Sequence, residues 1–196
     1  MNLPNKLTIL RILLVPVFFA LLVIEFPGHW ILALAVFIIA SLTDMIDGKI
    51  ARKYGLITDF GKFMDPLADK LLTTAALIGF VQWGFGYYGF GWITLIVLAR
   101  EFLVTSLRLS AAAEGRVIAA NMWGKVKTVS QMTAIIIMLV FTVFDDPVLS
   151  GLNLSGTLCD IFMYAGIIAM WISAVFAVIS GIIYFKENSG FINTGK

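Results

Sequence analysis

The chain has 196 residues, of which 60% are hydrophobic and 13% are charged, and its formal net charge is +2. Its mean hydropathy is +0.97. Since soluble globular domains are roughly half apolar, this composition excludes an ordinary soluble protein and favours an integral membrane protein. The single cysteine, Cys159, excludes an intramolecular disulfide.

Six apolar runs follow one another along the chain, each close to the roughly 20 residues that a membrane-spanning helix needs. They fill nearly all of the chain, so we predict an all-α integral membrane protein, with residues 1–196 as one domain of six transmembrane helices. No small-residue cleavage pattern follows the first run, which favours a helix over a signal peptide. The predicted runs are about 7–25, 31–54, 63–83, 91–113, 124–145 and 157–186.

The lysines and arginines indicate which side of the membrane each loop faces. Loops around 26–30, 84–90 and 146–156 contain no Lys or Arg, whereas both termini, the 44–69 segment and the 114–127 loop carry them. Because basic residues stay on the cytoplasmic side, we expect those four parts to face the cytoplasm. The basic residues follow this topology, so nucleic acid is not an expected partner.

Four aspartates occur as two pairs at helical spacing. Asp44 and Asp47 lie near the end of the second run, and Asp65 and Asp69 lie near the start of the third. Residues three or four apart share a helix face, so a short connection would bring both pairs into a cytoplasm-facing polar cavity. Four carboxylates in a small volume would repel one another, and oxygen-preferring divalent cations such as Mg²⁺ or Mn²⁺ would relieve that repulsion. The alternative is four solvated helix caps.

Two glycines and an arginine lie between the aspartate pairs. Gly48 and Gly61 allow a backbone or a ligand to approach closely, where any side chain would block it. Arg52 is placed to bind two oxygens of a phosphate with its guanidinium fork. Two cations with shared carboxylates can clamp a pyrophosphate. These residues together predict a two-metal site for a diphosphate-containing ligand.

A second polar group is predicted where ionisable residues interrupt the fourth and fifth runs. Ionisable residues within a membrane are candidates for function by default. Glu101 and Arg108 are seven residues apart and share a helix face, so the group can form a basic pocket for a phosphate on a second substrate. The alternatives are snorkelling cations and a simple Arg100–Glu101 ion pair. The predicted pocket comprises Arg100, Arg108, Lys125 and Lys127.

The spacing D-x2-D-G-x2-A-R-x8-G-x3-D-x3-D over residues 44–69 resembles the signature of the CDP-alcohol phosphotransferase family, with no departure at its eight defined positions. The resemblance implies an enzyme that moves a phosphatidyl or similar group from a CDP-linked lipid to an alcohol and releases CMP. It implies that Asp44, Asp47 and Asp65 ligate two divalent metals, and that Asp69 is both a ligand of the second metal and the general base. The residues that would line the CMP pocket are Gly48, Ala51, Arg52 and Gly61.

Flanking residues narrow this resemblance to one bacterial branch of the family. Residues 2–8 with Arg11, and residues 121–128, look like the branch whose donor is CDP-diacylglycerol and whose acceptor is sn-glycerol 3-phosphate. This resemblance implies phosphatidylglycerophosphate as the product, a plasma-membrane location and a homodimer. It also places Asn5 and Thr8 at the CDP-lipid, and the predicted basic pocket at the acceptor phosphate.

Three other interpretations differ in substrate or in class. The same chemistry can use inositol phosphate, serine or phosphatidylglycerol as acceptor, although an acceptor without phosphate would not need Arg108 and the two lysines. An aromatic prenyltransferase also uses aspartate pairs and Mg²⁺, but with wider spacing and more helices. A divalent-cation transporter would place acids deep in several helices, whereas these four cluster at one end.

Overall fold

The computed structural model describes residues 2–54, 58–113, 122–146, 148 and 156–188. All regular secondary structure in this described part is helical, which confirms the predicted all-α class. For some helical residues the description is limited to the backbone; these are Met45, Lys49, Ala51, Arg52, Lys53, Asp59, Phe60, Lys62, Phe63, Pro66 and Ala113.

Each of the six predicted runs corresponds to one long helix. The first and third helices begin four residues earlier than predicted, because Pro4 suits a first helical turn and Thr58 caps the third helix. The helices are α1 (Leu3–Val23), α2 (His29–Tyr54), α3 (Asp59–Gln82), α4 (Phe90–Ala113), α5 (Met122–Phe144) and α6 (Gly156–Glu187), with a short 3-10 helix, Phe85–Tyr88, before α4.

Five of the helices, all except α3, contain a stretch long and apolar enough to cross a membrane. The exception is explained by charge, since α3 carries Asp65, Asp69 and Lys70 in its first half. Five such helices in one chain make this a multi-pass membrane protein.

Small side chains allow the helices to pack closely around one core. α1 packs on α2 and α3, α5 packs on α6, and α4 packs on both α6 and α3. Ala33 and Ala40 of α2, Ala76 of α3 and Ala134 of α5 are fully buried. Contacts between small residues are typical of membrane helices, whose backbones gain dispersion energy by approaching closely.

Aromatic side chains close the end of the bundle where α2 begins and α3 ends. The rings of Trp30 and Trp83 meet edge to face, with their centroids 4.8 Å apart. Nearby, Asp146 accepts hydrogen bonds from the backbone N–H groups of Gly28 and Val148, at 3.2 and 2.9 Å. This packing leaves the aspartates of α2 and α3 at the opposite end, because Asp44 follows Trp30 by almost four helical turns.

Candidate active site

Arg11 of α1 lies between the two aspartates of α2. Its Nη1 is 2.6 Å from Asp44 Oδ1, and its Nη2 donates a hydrogen bond to Asp47 Oδ2. Arg11 is fully buried and Asp47 is 4% exposed, whereas the Asp44 side chain is 45% exposed. The helical spacing of three residues therefore does place both carboxylates on one face, and that face is turned toward α1.

The start of α1 also contacts the start of α3 through side-chain hydrogen bonds. Thr8 Oγ1 donates to Asp65 Oδ1 at 2.7 Å. Thr58 Oγ1 donates to Asn5 Oδ1 at 2.8 Å and accepts a hydrogen bond from the Gly61 N–H at 3.0 Å. The hydroxyl of Thr58 thus caps α3 and joins it to α1.

Gly61 occupies a place where no side chain fits comfortably. A Cβ atom there would lie 3.3 Å from Thr58 Oγ1, 3.4 Å from Asn5 Oδ1 and 3.6 Å from Asp65 Oδ2. Glycine therefore keeps a small polar space open beside Asp65, and the close approach of a ligand there stays a prediction.

The four aspartates influence one another across α2 and α3. The charge of Asp47 interacts with those of Asp44 and Asp65, and Asp69 interacts with Asp44. Among the described residues, however, no three acidic, His or Cys side chains meet closely enough to hold a metal ion. Asp44 and Asp47 are turned to Arg11, and Asp65 is turned to Thr8. Their convergence on two metals stays a prediction, although the all-oxygen donor set suits a hard divalent cation.

The remaining residues of the aspartate signature lie on α2. Gly48 is partly buried in the last two turns of this helix. Ala51 and Arg52 belong to the same helix, but their side chains lie outside the described residues, so the predicted contact of Arg52 with a phosphate stays a prediction.

A second polar cluster surrounds Glu101 of α4. Lys127 Nζ of α5 donates to Glu101 Oε1 at 2.5 Å, and Arg100 Nη1 lies 3.1 Å from the same oxygen. Arg100 Nη2 also donates to Ser180 Oγ of α6 at 2.6 Å. Lys70 Nζ of α3 lies 3.7 Å from Glu101 Oε2 and donates to the hydroxyl of Thr105. We call Glu101, Lys70, Arg100 and Lys127 the Glu101 cluster.

The other two predicted acceptor residues lie apart from the contacts of this cluster. Arg108 Nε donates to Tyr184 Oη at 3.0 Å, and its guanidinium stacks 5.4 Å from the centre of the Tyr184 ring. Lys125 is exposed, whereas Lys127 is buried. Two residues apart on one helix, the two lysines point in different directions, and the inward one belongs to the Glu101 cluster.

Sequence reasoning missed the partners of these charged groups. Arg11 was used only for the membrane topology and for the family resemblance, although an arginine within an apolar run is itself a signal of a polar interior. Lys70 follows Asp69 directly and was likewise counted only as a basic residue. Ser180 and Tyr184 carry no sequence signal, because their roles depend on contacts between distant helices, whereas the predicted cap at Thr58 is confirmed.

The sequence is similar to known proteins over most of its length. The family model for CDP-alcohol phosphatidyltransferases matches residues 1–179. The chain is 41% identical to the CDP-diacylglycerol–glycerol-3-phosphate 3-phosphatidyltransferase of Bacillus subtilis (strain 168), with 95% of each chain covered. It is 38% identical to a protein of the same name from Rickettsia bellii (strain RML369-C), with 94% of each covered. A probable phosphatidylglycerophosphate synthase of Mycobacterium tuberculosis (strain ATCC 25618 / H37Rv) is 44% identical over 68% of this chain and 64% of that protein.

Proposed function

Because this chain belongs to the CDP-alcohol phosphatidyltransferase family, we propose that it transfers the phosphatidyl group of CDP-diacylglycerol to sn-glycerol 3-phosphate. The products are phosphatidylglycerophosphate and CMP. The similarity to enzymes named for this reaction, over nearly the whole length of two of them, is the observation that carries the proposal. The Glu101 cluster supports it, because an acceptor that bears a phosphate needs cationic side chains.

We assign the divalent cations, Mg²⁺ or Mn²⁺, to the aspartates of α2 and α3. Asp44, Asp47, Asp65 and Asp69 would hold two ions, and they supply only the carboxylate oxygens that such ions prefer. When bound, the ions would neutralise charge on the pyrophosphate and on the departing CMP. Arg11 balances two of these carboxylates while keeping them at the α1 face.

The acceptor hydroxyl needs a proton acceptor, and we assign that role to Asp69. Asp69 is exposed at the α3 surface, and its charge interacts with Asp44 as well as with Glu101 and Lys127, which supports a role next to both groups. The hydroxyl oxygen forms a bond to the phosphatidyl phosphorus, the bond from that phosphorus to CMP breaks, and the hydroxyl proton passes to Asp69. Arg52 would stabilise the charge that develops on the phosphates.

The donor pocket is assigned to residues of α1, α2 and the start of α3. The small space beside Gly61, closed by Asn5 and Thr58, supports this placement. The contact of Thr8 with Asp65 links the same region to a proposed metal ligand. The residues proposed to contact CDP-diacylglycerol are Asn5, Thr8, Gly48, Ala51, Arg52 and Gly61.

The acceptor phosphate is assigned to the basic side chains of α4 and α5. Lys127 is buried and Arg100 is hydrogen-bonded to α6, so both are held in fixed positions. Arg108 and Lys125 would approach the phosphate from the more exposed side. Together these four side chains would recognise a phosphate monoester by charge and by hydrogen bonding.

We also propose a membrane topology, in which all six long helices span the bilayer. With α3 as a sixth span, residues 1–196 form a single domain whose termini and polar active-site cavity face the cytoplasm. The basic residues of the sequence support this orientation in the plasma membrane. There CDP-diacylglycerol arrives from the bilayer and glycerol 3-phosphate from the water. Family resemblance supports a homodimer.

The test is CMP release by the purified protein in detergent, with CDP-diacylglycerol and Mg²⁺ or Mn²⁺ fixed and the acceptor varied. We expect release with glycerol 3-phosphate and none with serine, inositol phosphate or phosphatidylglycerol. Release with one of those acceptors instead would keep the chemistry and reject the acceptor. A folded protein that releases no CMP with any acceptor would reject the enzyme.

A further inference from the structure

The Glu101 cluster carries more positive charge than its one carboxylate can balance. Lys70, Arg100 and Lys127 supply three positive charges, and Glu101 supplies one negative charge. These side chains come from α3, α4 and α5, so helix packing rather than local sequence brings them together. By this count the cluster has an excess of two positive charges.

Such an excess is costly where water is limited. The side chain of Lys127 is 5% exposed and that of Arg100 is 11% exposed. Charges removed from water are stabilised only by counter-charges and hydrogen bonds. A further acid, Asp69, interacts electrostatically with Lys127 but is assigned to the proposed metal site. A bound dianion would balance the excess, and a phosphate monoester carries that charge near neutral pH.

Lys70 differs from the other two cations in how firmly it is held. Its ammonium group lies 3.7 Å from Glu101, the longest pairing in the cluster, and its side chain is 35% exposed. Among the described residues its close hydrogen-bond partner is the hydroxyl of Thr105, which is neutral. Lys70 can therefore turn toward a ligand while Arg100 and Lys127 remain paired with Glu101.

We propose that Lys70 is a further acceptor-binding residue, which together with Lys127 binds the phosphate of the acceptor. This inference rests on the proposed function, because it concerns the same reaction and the same cavity. Lys70 follows Asp69 on α3, so the helix that presents the proton acceptor would also hold the substrate whose hydroxyl loses the proton.

Kinetics separate this role from a structural one. Lys70→Met should raise the KM for glycerol 3-phosphate about 10-fold or more, the usual effect of losing one charge-assisted hydrogen bond. The KM for CDP-diacylglycerol and kcat should stay within about twofold of the wild-type values. The reason is that the lost contact stabilises the bound acceptor equally in the ground state and in the transition state. Lys70→Arg keeps the charge and should recover most of the affinity. Lys186→Met, at an exposed lysine near the end of α6, is the matched control.

A binding measurement that needs no turnover tests the role of Lys70 independently of the proposed function. The thermal midpoint of the protein in detergent would be followed against glycerol 3-phosphate, with glycerol as the neutral comparison and no CDP-diacylglycerol present. Wild type and Lys186→Met should be stabilised by glycerol 3-phosphate and Lys70→Met much less, even if the wild type releases no CMP with this acceptor. Equal stabilisation of Lys70→Met and wild type would overturn the inference, as would a Lys70→Arg variant as defective as Lys70→Met.

Discussion

Arg11 Nη1 lies 2.6 Å from Asp44 Oδ1, so a cation of α1 is paired with an acid that the sequence assigns to a metal. The same guanidinium donates to Asp47, which is almost completely buried. Arg11 therefore has two effects: it holds α1 against α2, and it lowers the repulsion between two of the four aspartates before any metal is bound.

Removing this guanidinium should destabilise the protein strongly. Arg11→Met would leave the buried carboxylate of Asp47 without its counter-ion, and breaking a buried ion pair on one side costs about 3–5 kcal/mol. Chemical unfolding in detergent without divalent cations measures this loss. Lys6→Met, at an exposed lysine on the same helix, should change the free energy of unfolding by less than about 1 kcal/mol.

Divalent cations should reverse part of that loss. In Arg11→Met the aspartates would repel one another more strongly, so Mg²⁺ or Mn²⁺ should stabilise this variant more than it stabilises the wild type. The comparison is the shift in thermal midpoint between chelator and millimolar metal. An equal or smaller shift in Arg11→Met would mean that Arg11 and the cation do not act on the same carboxylates, and no shift in either protein would mean that the cation does not bind.

The hydrogen bond between Thr8 and Asp65 gives a second test of the aspartate site. Thr8→Val has nearly the same shape but removes the donor, so the orientation of the Asp65 carboxylate is no longer fixed. Residues that orient a metal ligand typically contribute about 10- to 100-fold to metal affinity or activity. We expect such a loss of CMP release in Thr8→Val and near-normal rates in Thr8→Ser, which keeps the hydroxyl. Equal rates in both variants would remove Thr8 from the site.

A side chain at Gly61 is expected to crowd the start of α3. Gly61→Ala would press a methyl group against Thr58 Oγ1 and Asn5 Oδ1, and so disturb the cap of α3 and its link to α1. Loss of such a cap costs about 1 kcal/mol, and the displaced polar groups should also lower CMP release. Gly91→Ala is the control, since no atom lies within 4 Å of a Cβ there. A Gly61→Ala enzyme as stable and active as Gly91→Ala would show that the space beside Asp65 has no role.

The number and order of the helices were predicted best from the sequence. The length of an apolar run depends only on local composition, and each predicted run corresponds to one helix. The predicted ends of the helices were less accurate than their number. The start of α3, for example, is fixed by Thr58, whose hydroxyl contacts Asn5 of α1 and the Gly61 N–H of α3. The spacing of Asp44 and Asp47 gave their shared face, but only the packing of α1 shows that Arg11 lies against it.

The acceptor pocket shows where reasoning from sequence reached its limit. Glu101 and Arg108 are seven residues apart, which predicted a shared face of α4. In the structure Arg108 contacts Tyr184 of α6, whereas Glu101 pairs with Lys127 of α5. One helix face can contact two neighbouring helices, and spacing alone does not decide which charge meets which partner. Lys70 was missed for the same reason, since its partners belong to another helix.

Asp69 gives the most direct test of the chemistry. Asp69→Asn keeps the size of the side chain but greatly weakens it as a proton acceptor, so CMP release should fall about 100-fold or more. CDP-diacylglycerol should still raise the thermal midpoint, because the proposed donor pocket lies on α1, α2 and the start of α3. Asp160→Asn, at an exposed aspartate in the first turns of α6, should match the wild type in both measurements. An Asp69→Asn enzyme with normal turnover would refute the general-base assignment, whereas loss of donor binding as well would mean that Asp69 acts mainly as a metal ligand.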